Sequence, residues 1–441
     1  MGKRTGRAPA RARTGARLQQ WMRAVLVAGL LFAGGPLAGC GLVAQGPAPG
    51  EAAGGTGATQ SEHPGMPSAT AAASGAAPTP APSAIPGKGP RCPVLRCASV
   101  VVTGGMLVHH GIWEEAQEEA AAAGKPGLDF LPVLEAQRRY LERSDLAICH
   151  QGTPVAKPDG PFSGAPSFNA PPHIVNAAKD VGYQACTTAG DHILDRATDG
   201  LLRTVDALDA AGLKHTGSYR TATESQQILI LQTPAAKVAV IEATFGLNGN
   251  TPEYPWQVDT LDPSAMIAKA EKARSLGADV VIGAMYAGNG YGGDVHAGIP
   301  GALQTKAARA LADSGQFNLV YGHSQSVLPL ENYKGTWIAY GLGNGITEVS
   351  PQHPAMNEGL LVRAQFGRDA NGSWTVTDLA WTPTVMVGNP YRWCPVAADA
   401  PQGPCAGTAA DDATRQRTIG VVNSMGAAAS GAHELLITLE P

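Results

Sequence analysis

The chain has 441 residues, 44% of them hydrophobic and 15% charged, with 32 lysines and arginines against 36 aspartates and glutamates and a formal charge of −4. Seven of the basic residues and no acidic one fall in residues 1–23, so the rest of the chain carries −11. That balance excludes nucleic acid as an expected partner, because such binding is driven by neutralising phosphates, and it argues against attachment to anionic lipid through basic side chains.

The N-terminus reads as an export signal. The basic stretch precedes an apolar run from Ala24 to Ala33, and Leu37-Ala38-Gly39-Cys40 follows. The run is far shorter than the ~20 residues a spanning helix needs, and the order basic, apolar, small marks a signal peptide over residues 1–40. Leu-Ala-Gly-Cys is similar to a bacterial lipobox. Cys40 is therefore the expected lipidation site, and the mature protein is expected outside the cytoplasm, held to the cell membrane by its lipid; plain secretion is the alternative. No Arg-Arg pair precedes the apolar run, which argues against the twin-arginine route. Residues 41–90 read as a disordered tether: forty of these fifty are Ala, Gly, Pro, Ser or Thr, and only Glu51, Glu62 and Lys88 are charged. Such a stretch cannot bury enough apolar surface to offset its chain entropy. The folded domain is then residues 91–441, long enough for one large core.

Within it, strand-like and helix-like segments alternate. Strands are expected at Ser99–Thr103, Leu146–Cys149, Gln184–Thr187, Lys237–Thr244, Asp279–Met285 and Asn318–Tyr321. Helices are expected at Ile112–Ala123, Leu131–Arg143, Ile174–Asp180, Asp199–Ala211 with Gly212 as its cap, Pro263–Leu276 closed by Gly277, and Ala302–Asp313. The alternation points to a largely parallel α/β core. Further strands at Thr336–Leu342, Gly359–Phe366 and Trp374–Val387, with a hairpin turn at Asn371-Gly372, suggest a second, mostly antiparallel sheet. Residues 395–431 are rich in small residues and read as loop. No internal repeat is visible.

Six cysteines remain beyond Cys40: Cys92, Cys97, Cys149, Cys186, Cys394 and Cys405. An even number in an oxidising compartment suggests disulfides, though sequence alone does not give their connectivity. Proximity favours Cys92–Cys97 and Cys394–Cys405, which leaves Cys149–Cys186. A zinc site is the rival reading, and the lack of any C-x-x-C pair stands against it.

In an open α/β fold, chemistry gathers in loops at the carboxyl ends of strands. Here those loops are Gly104–His110, His150–Pro154, Thr188–Asp195, Tyr286–Gly293 and His323–Ser326. They hold His109, His110, His150, His192 and His323, five of the eleven histidines, together with Asp191 and Asp195. Imidazole and carboxylate together suit zinc, manganese or iron. Gly288-Asn289-Gly290-Tyr291-Gly292-Gly293 fits G-x-G-x-x-G, but the next expected helix starts after Pro300, too late to meet a pyrophosphate. No G-x-S-x-G elbow supports a serine hydrolase through Ser324 or Ser326.

The strand-end loops carry a family resemblance over roughly Ser99 to Gly345. The stretches are Val-Thr-Gly-Gly-Met-Leu-Val-His (102–109), Asp-Leu-Ala-Ile-Cys-His-Gln-Gly-Thr-Pro (145–154), Phe-Asn-Ala-Pro-Pro (168–172) and Thr-Thr-Ala-Gly-Asp-His-Ile-Leu-Asp (187–195). Asp-Ala-Leu-Asp-Ala-Ala-Gly-Leu-Lys-His-Thr-Gly (206–217), Val-Tyr-Gly-His-Ser-Gln-Ser-Val (320–327) and Ala-Tyr-Gly-Leu-Gly-Asn (339–344) follow. Together they resemble the CapA family of poly-γ-glutamate capsule synthesis proteins, most of all its lipoprotein or secreted actinobacterial members. The resemblance implies a metallophosphatase-like α/β fold of two sheets flanked by helices, the first sheet drawn from residues 99–321. It also implies a role in assembling a cell-envelope polymer, with that polymer or envelope assembly proteins as partners. In the family fold Cys149 and Cys186 lie near the ends of neighbouring strands, which supports their pairing.

The chain departs from the family pattern at the polar positions. The first loop usually reads Gly-Asp, and Gly105 stands for the acid. Gly152 replaces a Glu before Thr-Pro. Asp191-His192 replaces Asn-His, and Tyr286-Ala287-Gly288 replaces His-Trp-Gly. Gly322-His323-Ser324-Gln325-Ser326 replaces Gly-His-His-x-His, and the final Gly-Asn-Phe appears as Gly343-Asn344-Gly345. Losing ligands from several loops is expected to abolish tight metal binding. The resemblance therefore implies a pseudoenzyme that binds or scaffolds, with no cofactor expected. The rivals are a hydrolase with a reorganised site, holding a divalent metal on His150, Asp191, His192 and His323 with Asp191 and His192 as catalytic candidates, and a structural lipoprotein with no cleft function. Convergence of His109, His150, Asp191, His192 and His323 is what the hydrolase reading requires.

Overall fold

A computed structural model describes residues 83–287, 294, 297–399, 405 and 409–438. The expected export signal, Cys40, most of the expected tether and the glycine motif at 288–293 lie outside the described residues. Among the described residues fifteen strands run in chain order: β1 Arg96–Met106, β2 Leu146–His150, β3 Ala185–Thr187, β4 Lys214–Thr216, β5 Leu229–Gln232, β6 Lys237–Thr244, β7 Val280–Tyr286, β8 Leu319–His323, β9 Leu330–Tyr333, β10 Thr336–Ala339, β11 Asn344–Ile346, β12 Glu358–Arg368, β13 Trp374–Val387, β14 Arg392–Pro395 and β15 His433–Glu434.

They form two sheets. The first has the order β14-β13-β12-β1-β2-β3-β4, with β11 beside β1 and β15 beside β13; the second is β5-β6-β7-β8-β10-β9. Period-two alternation decides what each strand buries. In β6, Val238 and Val240 join Val100, Ile148, Ile282, Tyr321 and Phe366 in the core between the sheets. Ala239 and Ile241 point the other way, against Met266, Ala270 and Leu311 of two covering helices. One of these helices, Pro263–Ser275, starts at Asp262, whose carboxylate accepts from the Ser264 N–H, with Pro263 in the first turn; both features favour a helix start. The outer face of the first sheet is covered by helices contributing Ile112, Ala116, Val133 and Ile174.

The α/β two-sheet architecture is as expected, but the division of strands is not. β6, β7 and most of β8, which lie within residues 99–321, belong to the second sheet, while β12, β13 and β14 extend the first sheet beyond β1, each antiparallel to the strand before it. β10 likewise pairs parallel with β8 instead of joining the tail strands. An apolar strand buried on both faces looks alike in either sheet, so local sequence does not say which one it enters. The segment 395–431 holds a helix, Ala409–Asn423. Residues Leu131–Leu141 form two short helical turns around a 3₁₀ turn at Glu135–Gln137, not one helix to Arg143. The buried Gln137 side chain there accepts a hydrogen bond from the Tyr183 hydroxyl. The turn at Asn371-Gly372 is present, with Gly372 at φ +89°, and it joins β12 to β13.

Sulfurs are joined in the pairs Cys92–Cys97, Cys149–Cys186 and Cys394–Cys405. Cys149 and Cys186 sit opposite each other in the β2–β3 register, one residue before the pair His150 and Thr187. No helix among the described residues is long and apolar enough to cross a membrane.

Candidate functional site

Strands β1, β2 and β3 of the first sheet and β6, β7 and β8 of the second are parallel within their sheets. The alternation that buries Ile148, Val240 and Tyr321 between the sheets carries His150, Glu242 and His323, each two residues further on, to the same inner side. All three are sealed from solvent, at 2%, 0% and 1% exposure.

Their side chains meet. His150 Nδ1 lies 3.0 Å from Glu242 Oε1 and 3.0 Å from Thr187 Oγ1. His323 Nε2 lies 3.7 Å from the same Glu242 oxygen. The two imidazoles stack, with ring centroids 3.8 Å apart. The other carboxylate oxygen, Oε2, accepts the Ala189 backbone N–H. Glu242 Oε1, His150 Nε2 and both ring nitrogens of His323 are buried without an aligned hydrogen-bond partner. Burial and the neighbouring His150 push the His323 imidazole well below its ordinary pKa. Among the described residues this is a group of three donors lying within 4.8 Å of one another, so it is where the chain could hold a metal ion.

Asp191 lies beside this trio, in a depression it shares with Gly105, His150, Gly152, Tyr286 and His323. Burial pushes its carboxyl above the usual carboxylate range, against the opposing pull of His192, a hydrogen bond with Tyr286, and His150. His192 faces elsewhere: Nδ1 is 2.7 Å from Asp195 Oδ2, and Nε2 is 3.7 Å from Asp191 Oδ1. Burial works to lower its pKa, but the Asp195 hydrogen bond and the charges of Asp191 and Asp195 hold it above the ordinary value. Asn248 Nδ2 donates to Asp195 Oδ1 at 2.8 Å, and the Phe168 ring contacts both His192 and His109 edge-on. His110 lies apart, 3.0 Å from exposed Glu114 on its own helix.

The five residues named from the sequence thus fall into two neighbouring groups. His150 and His323 meet in the buried trio, with Asp191 at its edge; His192 and His109 gather around Phe168. Sequence reasoning missed Glu242, the residue between the two buried histidines. The available signal was an acid on the inward parity of an otherwise apolar strand, Val238-Ala239-Val240-Ile241-Glu242.

The substituted loop positions differ in how firmly they are fixed. A Cβ at Gly105 would meet only His150 Cδ2, at 3.4 Å. A Cβ at Gly152 would lie 2.3 Å from His150 Nε2 and 3.0 Å from Gly190 Cα. Asn344 is turned to the backbone, donating to the carbonyls of Gln325 and Met356.

Comparison with known proteins gives the following. The model of the family described as bacterial capsule synthesis protein PGA_cap matches residues 99–349. The PGA biosynthesis protein CapA of Bacillus subtilis is 26% identical over 213 residues, covering 46% of this chain and 53% of that protein. A probable polyglutamine synthesis accessory protein of Mycobacterium tuberculosis is 26% identical over 193 residues, covering 40% and 48%. The chain thus spans about half the length of the curated relatives it matches. A solved putative 5′-nucleotidase from Staphylococcus aureus aligns at 13% identity and a TM-score of 0.41, over 73% of this chain and 58% of that one.

Proposed function

The chain belongs to the bacterial capsule synthesis protein PGA_cap family, and from that premise we propose that it serves the assembly of a cell-envelope polymer of the poly-γ-glutamate class as a binding or scaffolding protein. In this reading Cys40 carries the lipid that holds the protein outside the cytoplasmic membrane, residues 41–90 give the folded domain reach, and the strand-end cleft receives the polymer or an assembly partner.

The observation that carries the non-catalytic reading is Gly152. The resemblance puts a carboxylate at this position, yet a Cβ there would lie 2.3 Å from His150 Nε2 and 3.0 Å from Gly190 Cα, so a larger side chain needs His150 to move. This packing supports the loss of that acid. Gly105, Tyr286 and Ser324 line the same depression where the family pattern has an acid or histidines.

The test is binding of purified, disulfide-bonded protein to poly-γ-glutamate of defined length, followed by calorimetry, with a parallel assay for polymer cleavage and phosphodiester hydrolysis. Saturable binding without turnover is expected. Because the chain beyond residue 23 carries −11, affinity for a polyanion should rise as salt screens the repulsion. Absence of binding at any salt concentration would overturn this reading.

One observation favours the hydrolase reading. Asp195 sits 2.7 Å from His192 Nδ1 and raises the imidazole pKa, which suits His192 to donate a proton to a leaving group. Turnover that disappears in His192→Gln would establish this alternative.

A further inference from the structure

Among the described residues four strands end the two sheets, and three of them carry charge. β14 has Arg392, paired with Glu115 and Glu119; β4 has Lys214; β9 has Glu331, paired with Arg309. Charged side chains, proline and bulges are the usual guards against stray pairing at a sheet edge. β5 has none of them. Gln226-Gln227-Ile228-Leu229-Ile230-Leu231-Gln232 is uncharged and free of proline, and β5 pairs with β6 in unbroken register.

The open side of β5 presents main chain. The Thr233 N–H donates to the Ala236 carbonyl at 2.9 Å, which makes these two a hydrogen-bonded pair. Alternation along an antiparallel ladder gives Leu231–Val238 and Leu229–Val240 as the next such pairs. The N–H and C=O groups of Ile230 and Gln232 therefore point away from β6, and no strand among the described residues meets them. The apolar side chains go elsewhere: Leu229 and Leu231 pack on the core between the sheets, Ile228 and Ile230 against the covering helices.

That edge lines a groove of about 460 Å³, residue after residue from Gln227 to Gln232. β4, at the end of the other sheet, lines it through Lys214, His215 and Thr216, and Asp209 and Glu224 add acid. Arg220 holds Asp206, Asp209 and Glu224 at once. With Lys214 this makes three carboxylates against two cations. The His215 side chain, 7% exposed, brings a buried Nδ1 without a partner, a need that a peptide group meets. The groove shares no lining residue with the depression at Asp191.

We propose that this groove receives an extended segment of a partner protein, which adds to β5 as a further strand through Ile230 and Gln232 and sets a lysine or arginine against Asp209 and Glu224. Strand addition of this kind draws affinity from main-chain hydrogen bonds and selectivity from side-chain contacts. Two other occupants fit less well. Poly-γ-glutamate is a polyanion, and its γ-linked amides are spaced further apart than those of a peptide strand. A second copy brings the same excess of acid, and its own β5 lies in the same groove. The inference does not rest on what the strand-end cleft binds.

The experiment selects a phage-displayed random peptide library on the exported, disulfide-bonded protein and measures the enriched peptides by calorimetry. Enriched sequences should alternate β-branched or aromatic residues with polar ones and carry a lysine or arginine. Replacing that basic residue by glutamate should weaken binding. Ile230→Pro removes an outward N–H and spares the ladder to β6, so it should weaken the best peptide at least about tenfold. Should Ile230→Pro fail to fold, the wild type decides the matter: N-methylation at alternate peptide residues should abolish binding in one parity and be tolerated in the other. Peptides that bind Ile230→Pro as well as wild type, tolerance in both parities, or no enrichment would overturn the inference. So would a wild-type dimer in sedimentation that Ile230→Pro dissociates, since the edge would then belong to a second copy. Binding of poly-γ-glutamate should be the same in Ile230→Pro; its loss there would assign the groove to the polymer and overturn the inference as well.

Discussion

His150 and Glu242 face each other from different sheets, with Nδ1 and Oε1 3.0 Å apart and both side chains closed off from water. The contact sits at the carboxyl end of the sandwich, where β2 and β6 both finish. Removing Glu242 takes away the carboxylate that faces both His150 and His323 and leaves His150 Nδ1 with Thr187 Oγ1 alone. Glu242→Ala should therefore cost about 1–3 kcal/mol of stability, read as a lower urea midpoint with an unchanged slope. A loss below about 1 kcal/mol would mean that the pair contributes little to holding the sheets together.

The two loop glycines make opposite predictions. Gly105→Ala adds a Cβ with a single ordinary contact, 3.4 Å from His150 Cδ2, and should shift stability by less than about 1 kcal/mol. Gly152→Ala drives a Cβ to 2.3 Å from His150 Nε2, with the Gly190 backbone at 3.0 Å behind it. It should cost about 1–3 kcal/mol through overpacking. Paired thermal denaturation of the two variants tests the contrast. Equal, small losses would show that Gly152 is not packed against His150.

The site was legible in sequence to the extent that it lies at strand ends. His150 and His323 each close an apolar run, and Asp191, His192 and Asp195 sit in a polar loop, so position alone marks them. Glu242 lies inside a strand, and its meaning comes from what the opposite sheet places in front of it. Sheet membership was hidden for the same reason: β6, β7 and β8 enter the second sheet through contacts far away in the chain, whereas the hairpin of β12 and β13 follows from a local Asn371-Gly372 turn. The helix Ala409–Asn423 escaped notice because its apolar side chains are few, and Ile419, Val421 and Val422 pack on the core between the sheets.

The Cys149–Cys186 bridge spans 37 positions of sequence. Closing a loop of that length in the unfolded chain is worth about 4 kcal/mol on the entropic account. A Cys149→Ala/Cys186→Ala double variant should lose about that much. It should also loosen the His150 to Thr187 contact, which follows the bridge by one residue in both strands. Equilibrium unfolding measures the first effect, and hydrogen exchange at Gln151, whose N–H donates to the Thr187 carbonyl, reports the second. Stability lost without faster exchange there would confine the bridge to the unfolded state.

His192 gives a pH prediction with a definite sign. Burial works to lower its pKa, yet Asp195 and Asp191 hold the folded-state value above the ordinary 6.5. A histidine of that kind binds its proton more tightly folded than unfolded. Its contribution to stability is complete below pH 6.5 and fades as the pH rises through the folded-state value. His109, His173, His215 and His323 are shifted the other way, so the whole-protein profile mixes both signs. A variant isolates the one wanted: in Asp195→Asn the partner at 2.7 Å loses its charge. The stability gap between wild type and Asp195→Asn should be widest at mildly acid pH and narrow above neutrality. Paired urea titrations across that range give the gap, and an NMR titration of the His192 ring should show its pKa falling in the variant. A gap that stays constant with pH would mean that Asp195 acts only through its hydrogen bonds to the Phe168 N–H and Asn248, and the reading of His192 as a proton donor would lose its support.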